Sequence, residues 1–124
     1  MAVVELTAAD FESTVTEKPI VLVDFWASWC GPCRPFAPVF DKSAQAHPDI
    51  VHAKVNTEAE QELAAALQIR SIPTIMAFRD GVLLFSQPGA LPAVALEDLI
   101  TQITAVDMDE VRAQIAAQSE SSTT

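Results

Sequence analysis

Residues 20 to 26 read Ile-Val-Leu-Val-Asp-Phe-Trp, an apolar run rich in β-branched side chains and without polar alternation. A strand with one face in water alternates, because successive side chains point to opposite sides. A run that does not alternate is covered on both faces, which places it inside a sheet with helices above and below. The chain is thereby held to a layered α/β domain. Asp24 is the one acid in the run, and a carboxylate within an apolar strand is costly unless it has a partner or a function. The plainer alternative is a place at the strand's exposed end.

Other segments fit the same architecture. Ala2–Leu6 predicts a short first strand, Ile50–Asn56 a second buried strand, and Thr74–Arg79 a third central one. Thr7, with Asp10 three residues on, caps a predicted helix over Ala8–Thr14, which Glu17-Lys18-Pro19 breaks. A second helix runs from the cysteines to about Ala46, with a kink expected at Pro38. Thr57 opens a third over Glu58–Leu67, and Leu91–Ile103 is amphipathic. Asp80-Gly81 is a hairpin turn into Val82–Ser86, which Pro88-Gly89 ends. The order β-α-β-α-β-α-β-β-α predicts a central mixed, mostly parallel sheet of about five strands flanked by about four helices. Residues 1–105 form this domain and 106–124 a C-terminal helical extension, with a possible helix over 107–118 and a disordered tail over 119–124.

At 124 residues, half of them apolar, the chain can bury one core without metal or disulfide help. Seventeen acidic against seven basic residues give a net charge of −10, which disfavours nucleic-acid backbones and anionic membrane surfaces. The N-terminus shows no basic leader followed by an apolar run, and no stretch is long enough to span a bilayer. The expectation is a cytoplasmic monomer. In that reducing compartment a close cysteine pair is redox-active or metal-binding rather than structural.

That pair is Cys30 and Cys33, separated by Gly31 and Pro32 directly after the central strand. As a staple, so small a loop contributes roughly 2 kcal/mol at best, which a core of this size does not need. As a metal site, Cys30, Cys33, His47 and His52 satisfy a zinc-finger spacing. Pro48, however, ends any helix at His47, and His52 falls in a strand, so the two imidazoles point in unrelated directions. The redox reading uses the surroundings as well. A strand feeding straight into a helix sets both thiols at the helix N-terminus, where free amides and the helix dipole stabilise a thiolate. Cys30, at the rim, is then the nucleophile, and Cys33, one turn in and more buried, attacks the mixed disulfide. Gly31 permits the turn and Pro32 pre-sets the helical φ.

VDFWASWCGPC, the Pro38 kink, Ala53-Lys54-Val55, IRSIPT at 69–74, the Asp80-Gly81 turn and Gly89-Ala90 occur in order and at family spacing. Over about residues 3 to 104 the chain resembles the thioredoxin family. The resemblance implies the thioredoxin fold and a general protein-disulfide reductase. It implies no bound cofactor beyond a reversible Cys30–Cys33 disulfide, with NADPH used indirectly through a flavoprotein, thioredoxin reductase. It implies disulfide-bearing partners of the ribonucleotide reductase, peroxiredoxin and methionine sulfoxide reductase types. Asp24 looks like the buried carboxylate that moves the proton of the second cysteine, and Lys54 like its electrostatic partner. Pro73 looks like a cis-proline facing the disulfide. Ile72 would offer its backbone to a substrate peptide in a groove lined by Trp29, Gly31, Pro32, Pro73 and Gly89. A rival from another class is a binding or chaperone subunit in which the dithiol is secondary. Pro35, Pro88 and the segment after about residue 105 depart from the family pattern.

Overall fold

The computed structural model describes residues 2–122, with side chains through Ser119. Ten elements follow in order: β1 (Val3–Glu5), α1 (Phe11–Glu17), β2 (Ile20–Trp26), α2 (Cys33–Ala46), β3 (Val51–Asn56), α3 (Gln61–Ala66), β4 (Thr74–Arg79), β5 (Val82–Pro88), α4 (Ala93–Ala105) and α5 (Met108–Ser122). The unalternating run is strand β2, at the centre of a five-stranded sheet ordered β1-β3-β2-β4-β5. Its odd residues Val21, Val23 and Phe25 join a core with Phe11 and Val15 of α1, against which Leu63 of α3 packs. On the other face Leu22 joins Phe36 and Phe40 of α2 and Leu96, Leu99, Ile100 and Ile103 of α4. Asp24 shares this second face, because side chains two apart on a strand point the same way.

The sheet is less parallel than the element order suggests. β1, β3 and β2 pair parallel, but β4 runs antiparallel to β2 as well as to β5. A parallel crossover must carry the chain back along the whole strand. Here the chain instead re-enters the sheet at the pole where it left: Thr74, the first residue of β4, stands opposite Phe25, next to the Trp26–Asn56 pair at which β2 and β3 end. The predicted start of α3 at Glu58 is also too early. Asn56 Oδ1 accepts the amides of Glu58 and Ala59, and Thr57 turns its amide and hydroxyl to the Trp26 carbonyl. These contacts satisfy the turn and delay the helix to Gln61.

Two other helices shift for local reasons. Thr7 donates its amide to Asp10 Oδ1 at 2.7 Å, which closes a turn over residues 8–10 and moves α1 one turn later. Pro92 is extended (ψ 157°) and moves the start of α4 from Leu91 to Ala93. At the far end of α4, Arg79 Nη1 donates to the carbonyls of Ile103, Thr104 and Val106, orphan acceptors that every helix end presents. The tail expected to be disordered from Ser119 is helical as far as Ser122. No glycine or proline interrupts that stretch, so nothing stops the propagation of α5. Thr123 and Thr124 lie outside the described residues. Met108 is buried and Arg112 bridges to Asp80 at the hairpin turn, so α5 is anchored to the body at its start.

Candidate active site

β2 delivers the chain at Trp26, a short loop turns, and α2 starts at Cys33 with Pro32 as its N-cap at φ −65°. That geometry follows from the residues: proline supplies the helical φ at a position whose amide has no partner to lose. Cys30 and Cys33 are joined by a disulfide with their Cα atoms 5.3 Å apart. The Cys33 amide donates to Cys30 Sγ at 3.2 Å, so the free N–H of the helix start points at the first sulfur. One expectation fails. Cys30 is no more exposed than Cys33 (2% against 5%), because Trp26 and Ile72 pack on the pair. The exposed groups beside it are Trp29, at 68%, with Gly31 and Pro32.

Asp24 is not at an exposed end. It is 1% exposed, and its Oδ1 has no hydrogen-bond partner. Burial pushes its carboxyl up from 3.8 to about 7; Lys54 opposes the rise and Glu5 adds to it. Lys54 stands directly opposite Asp24 on β3, half-buried, with Nζ 4.7 Å from the centroid of the Trp26 ring. Trp26 is thus both a packing aromatic and a platform for the lysine. A cavity of about 300 Å³ opens here, with Trp26, Cys33, Arg34, Ala37 and Lys54 in its wall, so Cys33 and Lys54 face one space.

The Ile72–Pro73 peptide bond is cis. Ile72 packs on the cysteines and Pro73 is fully buried. The Pro73 carbonyl accepts the Gly89 amide at 2.7 Å, and Gly89 holds φ 106°, a conformation that side-chain-bearing residues avoid. Pro88 does not interrupt β5 before this contact; it is the strand's last residue, opposite Thr74. Trp29, Gly31, Pro32, Ile72, Pro73 and Gly89 are therefore linked to the disulfide through the loop itself, the Ile72 contact and the Pro73–Gly89 bond.

The sequence reading missed Ser28, Glu58 and Glu5. Glu58 Oε1 accepts the amide and hydroxyl of Ser28 at 3.0 and 2.8 Å, while Arg34 donates to the Ser28 carbonyl at 3.3 Å. The residue before Trp29 is thus held from two sides. Glu58 looked like an ordinary acid near a helix start, and no local pattern ties it to a position 30 residues earlier. His47 and His52 are engaged apart from the cysteines. His47 pairs with Glu97 at 2.9 Å, and buried His52 meets Ser43 Oγ at 2.9 Å and the Ile50 carbonyl at 3.1 Å. Among the described residues no cluster of His, Cys, Asp or Glu is arranged to hold a metal. Nor, among them, is any helix long and apolar enough to cross a membrane.

The family model described as Thioredoxin matches residues 2–116. A putative thioredoxin 2 from Streptomyces coelicolor is 56% identical over 115 residues, which are 93% of this chain and 86% of that protein. The structure of a mutant thioredoxin from Halobacterium salinarum superposes with a TM-score of 0.78 at 31% identity, covering 85% of this chain and 93% of its own. A chain from a structure described as the thiol resolving mechanism in yeast mitochondrial 1-Cys peroxiredoxin via glutathione/thioredoxin systems gives 0.75 at 29% identity, covering 81% and 94%. With its two cysteines at a strand–helix junction and a family match over nearly its whole length, this chain belongs to the thioredoxin family and is a thiol–disulfide oxidoreductase that works by dithiol–disulfide exchange.

Proposed function

We propose that Cys30 is the attacking thiol and Cys33 the resolving one, with Asp24 as the proton acceptor for Cys33 and Lys54 as its electrostatic partner. In the reduced protein the Cys30 thiolate attacks one sulfur of a substrate disulfide. A mixed disulfide forms, and the first substrate sulfur leaves as a thiolate that takes up a proton. Cys33 then gives its proton to the Asp24 carboxylate and attacks Cys30 Sγ. The Cys30–substrate bond breaks, the second substrate thiolate departs, and two electrons have passed from the dithiol to the substrate. One contact carries this reading above the others: the Cys33 amide aimed at Cys30 Sγ at the start of α2. A donor in that position favours charge on Cys30 over Cys33.

Trp29, Gly31, Pro32, Ile72, Pro73 and Gly89 are the proposed docking groove, in which an extended peptide meets backbone more than side chains. That mode suits a broad set of disulfide proteins of the ribonucleotide reductase, peroxiredoxin and methionine sulfoxide reductase types. Recharging is assigned to a flavoprotein thioredoxin reductase that uses NADPH. A reducing compartment, the cytoplasm, and a monomeric state fit this role. Residues 1–105 are the proposed catalytic domain and 106–124 an addition anchored through Met108 and Arg112.

The assay is reduction of a protein disulfide with NADPH and the reductase. Cys30→Ser abolishes turnover, while Cys33→Ser accumulates a covalent mixed disulfide through Cys30 visible by mass spectrometry. Wild-type turnover in either variant, or trapping through Cys33 in the Cys30→Ser protein, overturns the assignment.

A further inference from the structure

Three strands carry a row of charges across the sheet, and its middle member, Lys54, shares a cavity wall with Cys33. Glu5 on β1 stands directly opposite Lys54 on β3, and Lys54 directly opposite Asp24 on β2. Residues opposite one another in parallel strands point to the same face, with about 4.8 Å between strands. One ammonium therefore lies between two carboxylates. Glu5 is exposed at the sheet edge, Lys54 half-buried and Asp24 buried. Among the described residues Lys54 closes no ion pair with either acid, and its Nζ lies over the Trp26 ring instead.

We propose that Glu5 is a positioning residue for disulfide exchange, sharing Lys54 with Asp24 and so keeping Asp24 basic enough to take the proton of Cys33 near neutral pH. The proposal rests on the proton-acceptor role of Asp24 given above and assigns its control to the edge strand.

With Glu5 ionised, Lys54 is drawn between two carboxylates, and Glu5 offsets part of the attraction that Lys54 exerts on Asp24. Without Glu5, the ammonium has Asp24 as its one carboxylate in the row, settles toward it and holds an ionised Asp24 more firmly. A carboxylate held that way is a weaker base for a thiol. The other neighbours of Asp24 leave this balance to the row. From α2, Cys33 and Arg34 line the cavity that Lys54 also faces, with Arg34 turned to the Ser28 carbonyl. From β4 the residue opposite is Ile75, and beyond it on β5 stands Gln87. α4 contributes Leu96, Leu99 and Ile100 to this face, while its Glu97 is engaged with His47. His52, two residues before Lys54, has both ring nitrogens bonded.

The test reads the Asp24 midpoint directly, by carbon-13 NMR of its carboxyl in the oxidised protein, alongside the pH–rate profile of single-turnover resolution. From its wild-type value of about 7, Glu5→Gln lowers the midpoint by about half a unit, and the rising limb of the rate profile moves to lower pH with it. Glu5→Lys moves it about twice as far, and Glu5→Asp restores the wild-type value. Raising the salt to about 0.5 M shrinks the shift, because the edge of the sheet is screened. In a Lys54→Met background, Glu5→Gln moves the midpoint less than half as much. An unmoved midpoint in Glu5→Gln overturns the proposal. So does an equal shift with and without Lys54, which makes Glu5 a distant field rather than a competitor for the lysine. The NMR midpoint needs no turnover, so failure here is distinct from failure of the Cys30 and Cys33 assignment.

Discussion

Asp24 and His52 sit on the same face of the same sheet, on adjacent strands, each about 1% exposed, and the fold treats them in opposite ways. His52 has a partner for each ring nitrogen. Its Nδ1–H donates to the Ile50 carbonyl and its Nε2 accepts the Ser43 hydroxyl, while Phe40 covers the ring at 5.1 Å. Asp24 has an oxygen with no partner and a lysine that rests on a tryptophan instead of closing an ion pair. A buried polar group with all its bonds made is architecture. One left short costs stability, and the base role proposed for Asp24 gives that cost a use.

The widest gap between the two is in stability against pH. The Asp24 carboxyl is raised from 3.8 to about 7, so between those values the folded chain keeps a proton that the unfolded chain gives up. Wild type therefore loses stability as pH rises through that window and carries the full deficit above it. Asp24→Asn is expected to gain up to roughly 4 kcal/mol in urea unfolding near pH 8, with the gain vanishing near pH 4. The same variant slows the resolving step at pH 7 about a hundredfold in stopped-flow measurements. A variant that is both as fast as wild type and more stable would erase the contrast.

The next effect runs the other way. His52→Leu leaves the Ser43 hydroxyl buried and unpaired and is expected to lose about 1–3 kcal/mol, with disulfide reduction unchanged. The double variant Ser43→Ala, His52→Val removes both partners together and should recover most of that loss by the same denaturant measurement. Loss of reductase activity in either variant would move His52 into the machinery. The smallest effect is a slope. Burial holds His52 below its ordinary 6.5, so the folded chain takes up a proton there less readily than the unfolded chain does. Protons then favour the unfolded chain, and stability falls as pH drops below about 6.5. The double variant should flatten that slope in thermal melts between about pH 6.5 and 5, and an unchanged slope would assign it to other groups.

Much of the fold was legible because its signals are local. The unalternating run marked β2 with both ends correct, and Thr74–Arg79 was read to the residue. Asp80 and Gly81 both adopt positive φ, at 52° and 81°, as a two-residue hairpin turn of this type demands. The cysteine pair at a strand–helix junction was visible for the same reason. The start of α3 was not, because it depends on the Asn56 side chain capturing two amides. Nor was the direction of β4, which depends on the pole at which a seventeen-residue connection returns the chain to the sheet. The reach of α5 to Ser122 was missed because polar residues without a breaker do not by themselves end a helix.

The sequence by itself determined the strands, the number and order of the helices and the helix-start dithiol, and it marked Asp24 as an acid in need of a partner or a function. Each rests on side-chain periodicity, proline and glycine geometry, or spacing within a few residues. Only the tertiary structure decided which groups answer one another: Ser28 with Glu58, Ser43 with His52, and Glu5 with Lys54 and Asp24 in one row. Those pairs join residues brought side by side by strand register and helix packing. Register is set by the whole sheet burying its two faces at once, which no short stretch of chain encodes.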